Sequence, residues 1–178
     1  KRQVTVKLDI PENATEEQMT ALREQWKQHG HYNETDNLVT ETNKAKTNVD
    51  GDVKDTNQVT TKVEGPEKTV SDSDETNVKK NTVRSLADDW TYSITQKIAK
   101  SADEKYTSFA FKDSIEQCMK INSVKVKADN GNDVTSWFDI STVGNEVKAS
   151  LKDPRSNDEF YKNSSYTMEI NVKMDVPE

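Results

Sequence analysis

Apolar and polar residues alternate with a period of two along most of this chain, and the pattern breaks at a few definite points. Val4, Val6, Leu8 and Ile10 alternate with polar residues in KRQVTVKLDI, which predicts a half-buried strand. Pro11 stops it. The period then lengthens: Met19, Leu22 and Trp26 recur at helical spacing, which predicts a helix over about residues 16–28 with one apolar face. Thr15-Glu16-Glu17-Gln18 reads as a capping box at its start, and Gly30 ends it. Strands are predicted next over residues 38–47 and 56–63, around a hairpin turn at Asp50-Gly51.

Gly65-Pro66 punctuates the chain, because neither a helix nor a central strand runs through that pair. Beyond it the two-residue period returns. Trp90, Tyr92 and Ile94 alternate in DDWTYSITQKI, Phe109 and Phe111 in YTSFAFKD, and Val124 and Val126 in INSVKVKAD. Asn130-Gly131 marks a turn. Further strands are predicted over residues 134–140, 147–151 and 166–176. Short strands at such intervals, with no helices alternating between them, predict an all-β sandwich with one short inserted α-helix.

Composition narrows the function classes. Of the 178 residues, 31% are hydrophobic and 32% charged, with a mean hydropathy of -1.00, so the supply of core is small. Three Trp, five Tyr and four Phe in alternating runs nevertheless separate the chain from disordered sequences. The net charge of -7 opposes a nucleic-acid partner. No apolar run reaches membrane-spanning length. Cys118 is the single cysteine, so no internal disulfide is available, and it reads as an idle or buried thiol. His29 and His31 flank the helix end without Asp or Cys at ligand spacing, and the acidic loop over 50–55 lacks the glycine and closing glutamate of an EF-hand. No metal and no cofactor is expected. A hydrolytic pair at Asp88 and Asp89 is disfavoured, since adjacent acids on a strand point to opposite faces.

The two ends of the chain repeat each other. Residues 3–12 (QVTVKLDIPE) align with residues 169–178 (EINVKMDVPE), and each apolar position stays apolar. Such a repeat redefines the domain. It divides the chain into residues 1–63, the C-terminal part of one repeat, and residues 64–178, the N-terminal part of the next.

Pro66-Glu67-Lys68-Thr69-Val70-Ser71-Asp72, Trp90-Thr91-Tyr92-Ser93-Ile94, Phe111-Lys112-Asp113-Ser114-Ile115 and Asp133 to Ile140, in that order and spacing, resemble the isopeptide-forming domains of Gram-positive surface proteins. These comprise fimbrial isopeptide-formation domains, antigen I/II-type adhesin C-terminal domains and aggregation-substance-like repeats. Upstream, Thr42-Asn43-Lys44-Ala45-Lys46-Thr47 resembles the closing strand of such a domain. The resemblance implies an immunoglobulin-like fold and a bond between a first-strand lysine and a late-strand asparagine, assisted by an acid. Carried over, Lys68 is the amine, Asp113 the assisting acid and Asn43 the asparagine, with Asn171 as the fallback. The chemistry suits those residue types. Burial favours the neutral, nucleophilic amine and a protonated carboxyl that polarises the amide.

Asn43 precedes Lys68, and the link from Val63 to Lys68 spans only about 15 Å when extended. The expected cross-link therefore joins successive repeats or copies, head to tail. The implied role is a structural stalk or fibre repeat of an extracellular, cell-wall-attached adhesin, with single-turnover chemistry rather than enzymatic turnover and no membrane insertion in this segment. The alternative is a ligand-binding adhesin module without cross-link, using Trp137 or Tyr32 against a host or bacterial surface; core packing is the simpler role for Trp137.

Overall fold

The computed structural model describes residues 14–33, 38–56, 58–99 and 102–175. It divides into two compact units, Lys1–Gly65 and Pro66–Glu178. The strand expected over residues 1–10 lies outside the described residues, as does the first copy of the terminal repeat.

In the first unit, helix α1 (Glu16–Gln28) has the expected bounds. The Thr15 hydroxyl accepts from the Gln18 N–H at 3.2 Å, while the Gln18 side chain accepts from the Thr15 N–H at 2.9 Å. At the other end Gly30 takes a φ of 74°, and the N–H groups of Gly30 and His31 bond back to the carbonyls of Lys27 and Trp26. Two orphan carbonyls are satisfied by that paired closure. Strands β1 (Tyr32–Asn33), β2 (Leu38–Asn43), β3 (Lys46–Val49), β4 (Asp52–Asp55) and β5 (Val59–Glu64) complete the unit. β1, β2 and β5 form one antiparallel sheet and β3 with β4 a separate hairpin. The single strand expected over 38–47 is thus broken. At the break Ala45 exchanges bonds with Thr56, its N–H donating to the Thr56 hydroxyl and its carbonyl accepting the Thr56 N–H. Asp50 and Gly51 both have positive φ, 52° and 88°, which matches the right-handed twist of the flanking strands.

The second unit is a two-sheet, immunoglobulin-like sandwich. β6 (Glu67–Ser71), β7 (Asp89–Lys97), β8 (Ala110–Ser114), β9 (Met119–Ala128), β10 (Phe138–Val143), β11 (Glu146–Leu151) and β12 (Ser165–Met174) pair antiparallel throughout. The orders are β6-β7-β12-β9 in one sheet and β10-β11-β8 in the other. Strand β12 shows why the pattern folds this way. Tyr166, Met168, Ile170 and Val172 are completely buried, and Ser165, Thr167, Glu169 and Asn171 alternate with them on the outer face. Val147, Ala149 and Leu151 of β11 supply the facing layer. Each large side chain so buried contributes roughly 1.5–3 kcal/mol.

One expected strand is corrected. Residues 135–137 form a single 3-10 turn, and β10 starts only at Phe138. Asp133 accepts the Thr135 N–H at 3.0 Å and Val134 accepts the Trp137 N–H at 2.9 Å, so a local side-chain bond outcompetes the ladder. An aromatic cluster closes this end of the core: Phe160 stacks on Tyr166 at 4.4 Å, with Phe109 edge-on to Phe160 at 5.0 Å. Trp137 packs half-buried against the same core. The Asp129 carboxylate accepts from the Ser164 N–H and hydroxyl, which holds it below the usual carboxylate range and ties the end of β9 to the start of β12.

Candidate functional site

Lys68 lies on β6 and shares its face with buried Val70, so its side chain turns towards the interior. β6 is the edge of the four-stranded sheet, and β8 is the edge of the three-stranded sheet. Lys68 Nζ donates to Asp113 Oδ2 at 2.5 Å, which puts these two edges on the same side of the sandwich. The site is a seam between sheets.

Each member of the pair is held by its own strand. Asp113 pairs through its backbone with Val147 of β11, and its Oδ1 accepts the Ser114 N–H at 3.0 Å, so Oδ2 is the oxygen offered to lysine. Lys68 Nζ also sits 4.7 Å from the centroid of the Tyr92 ring on β7. The Asp113 side chain is 16% exposed and the Lys68 side chain 45%. The acid is therefore largely desolvated, while the ammonium still meets water. On the β6 side, Val70 exchanges two hydrogen bonds with Val78, so the loop after β6 covers the outer edge at Val70. By the two-residue alternation of the ladder, the Lys68 N–H and C=O face that same outer edge.

The structure brings Lys68 and Asp113 together. It does not bring Asn171 to Lys68. Asn171 sits on β12, two strands from β6, and faces outward between buried Ile170 and Val172, whereas Lys68 faces inward. Its amide donates to Asp89 Oδ2 at 2.9 Å, Thr91 Oγ1 at 3.2 Å and the Trp90 carbonyl at 3.3 Å, and Asn122 donates to its oxygen at 2.9 Å. An amide on the wrong face and engaged on both sides is no partner for Lys68. Asn43 has its backbone in β2 of the first unit, opposite Val59.

The remaining candidates fall to structural roles. Asp88 accepts the Ser85 N–H at 2.9 Å, in a turn before β7, and Asp89 accepts from Asn171. Cys118 is exposed rather than buried. Among the described residues no three His, Cys, Asp or Glu side chains converge to hold a metal ion. No described helix is long and apolar enough to cross a membrane. Tyr92 is the residue that sequence reasoning missed. It was legible as a strand position between Trp90 and Ile94, but its place beside Lys68 depends on the register of β6 against β7.

Residues 66–178 match the family described as the cell surface antigen I/II C2 terminal domain. The chain belongs to that family. The matched residues are those of the second compact unit, so Lys68, Tyr92 and Asp113 are all C2-domain residues. Among curated proteins none matches the chain. Among solved structures, the C2 chain is similar to BcpA, the major pilin subunit of Bacillus cereus, with a TM-score of 0.50, 18% identity, and 76% of this chain and 39% of that one covered. A second BcpA structure gives a TM-score of 0.51 at 16% identity, covering 77% of this chain and 39% of that one. The full-length major pilin SpaD from Corynebacterium diphtheriae gives 0.47 at 19% identity, over 78% and 38%. The likeness to BcpA is one of fold. The chain spans less than half the length of either pilin.

Proposed function

We propose that the chain is a structural stalk or fibre repeat of a cell-wall-attached surface protein, covalently stabilised through Lys68. The observation that carries this reading is the 2.5 Å contact between Lys68 and Asp113 at a seam flanked by two sheet edges. Membership of a cell-surface family and a pilin-like fold support the same setting. A strand laid along the seam would supply the missing burial, and an asparagine on it would meet both groups.

The reaction is balanced within those three side chains. The Lys68 ammonium passes a proton to Asp113, and the neutral amine attacks the asparagine Cγ. The protonated carboxyl polarises the amide oxygen, gives its proton to the leaving nitrogen and takes up the one that the attacking nitrogen sheds. One C–N bond forms, one breaks, and ammonia departs. This is one turnover per molecule, so the protein is not an enzyme in the ordinary sense. The proposed partner is the counterpart of Asn43 in the following repeat, or Asn43 on β2 of another copy, head to tail. On this reading residues 1–63 close one sandwich and residues 64–178 open the next. Between successive repeats of one chain the link would close a long loop and, by analogy with a disulfide, add about 3–5 kcal/mol.

The test is a denaturing gel with intact mass on the concentrated chain and on Lys68→Ala. Covalent multimers lighter by one ammonia per link, absent in Lys68→Ala and traced by peptide mapping to Lys68 joined to Asn43, are expected. Mapping is essential, because Asn130-Gly131 could also shed ammonia by closing to a succinimide. Monomers of full mass at every concentration would overturn the intermolecular link and favour a ligand-binding module with an unmodified Lys68.

A further inference from the structure

The seam has a third member besides the ion pair. The ladder pairs Lys68 with Ile94 and Val70 with Tyr92, which makes Tyr92 a diagonal neighbour of Lys68, within reach of a long side chain. Its ring is held from two sides. Trp90 meets it edge-on with centroids 6.5 Å apart, and its hydroxyl lies 3.8 Å from the Met119 sulfur. Lys68 Nζ stands 4.7 Å from the ring centroid, within the range where an aromatic face attracts an ammonium. A four-carbon stem that is 45% exposed has many other places to put its charge.

We infer that Tyr92 is a positioning residue of the cross-linking site: its ring face parks the Lys68 ammonium on Asp113 Oδ2 until a partner strand covers the seam. This rests on the reading of Lys68 as the cross-linking amine. Three strands then each contribute one element, the amine from β6, the acid from β8 and the platform from β7. The ring acts through its face and not through its hydroxyl, which points towards Met119. It exchanges no proton and forms no bond. Its effect is to confine the amine to the place where the acid is aligned, so that burial alone starts the reaction.

The test measures the amine itself. The chain, Tyr92→Phe and Tyr92→Leu are treated with N-hydroxysuccinimidyl acetate, and the acetylation rate of each lysine is read by peptide mass spectrometry, with exposed Lys79 and Lys80 as internal references. Tyr92→Phe should acetylate Lys68 at the parental rate, and Tyr92→Leu about two- to fivefold faster with the references unchanged. Equal rates in all three, or a Phe variant as fast as the Leu variant, overturn the proposal. A second measurement needs no substitution: the Lys68 methylene protons beside Nζ should be displaced upfield in the NMR spectrum by the ring current, and undisplaced signals overturn it. The two readings fail separately. A clamped Lys68 without covalent multimers defeats the cross-link and leaves the clamp. Multimers formed as fast by Tyr92→Leu as by the parent defeat the positioning role and leave the cross-link.

Discussion

Lys68 and Asp113 are 45 residues apart in the chain, and their contact is a product of two strand edges meeting. Because the lysine remains half-exposed, the ion pair adds little by itself. Asp113→Asn should therefore shift stability in urea by less than about 1 kcal/mol while abolishing any Lys68-dependent covalent product on a denaturing gel. A large loss of stability would instead mark Asp113 as a structural residue. Tyr166 gives the opposite case. It is fully buried, donates its hydroxyl to the Phe160 carbonyl at 2.8 Å and accepts from Asn163, and burial pushes its pKa up to about 12. The folded value is raised above the unfolded one of about 10, so this contribution is intact below pH 10 and drains away as pH rises towards 12. The expected loss is about 2–3 kcal/mol across that window, read as a falling denaturation midpoint. Tyr166→Phe should be less stable at neutral pH but should lose this alkaline dependence.

The elements differ in what holds them. Helix α1 buries none of its residues, so it depends on its own termini. Thr15→Ala removes the capping bond and should cost about 1 kcal/mol, seen as reduced far-UV helical signal at low denaturant. Strand β12 is held by the reverse, with four consecutive inward residues completely buried between β7 and β9. Ile170→Ala should cost about 2–5 kcal/mol, and a cost under 1 kcal/mol would contradict the packing described. Both elements were legible in the sequence, because a capping box and a two-residue alternation are local signals. The 3-10 turn at 135–137 was not. Val134 and Trp137 fit a strand by composition, and local bonds to the Asp133 and Thr135 side chains and the Val134 carbonyl decide otherwise. The break in the strand over 38–47 was hidden for the same reason.

At the scale of the molecule, every buried hydrophobic residue among those described lies between Val70 and Val172, within the C2 domain. A chain of residues 66–178 should therefore melt cooperatively by calorimetry and keep the near-UV signal of its buried aromatics. A broad, non-cooperative transition would mean that residues 1–65 supply part of the core. Among the described residues, the buried part of the chain's small hydrophobic supply lies here.

The sequence by itself determined the strand periodicity, the capped helix, the turn residues and the resemblance to a surface-protein family. Those depend on neighbours a few residues apart. The tertiary structure decided which edges of the two sheets meet, and with them the Lys68–Asp113 contact, the ring of Tyr92 beneath the ammonium and the outward face of Asn171. Strand order and register are set by packing between distant segments, and a period of two says which face a residue takes but not which strand lies beside it.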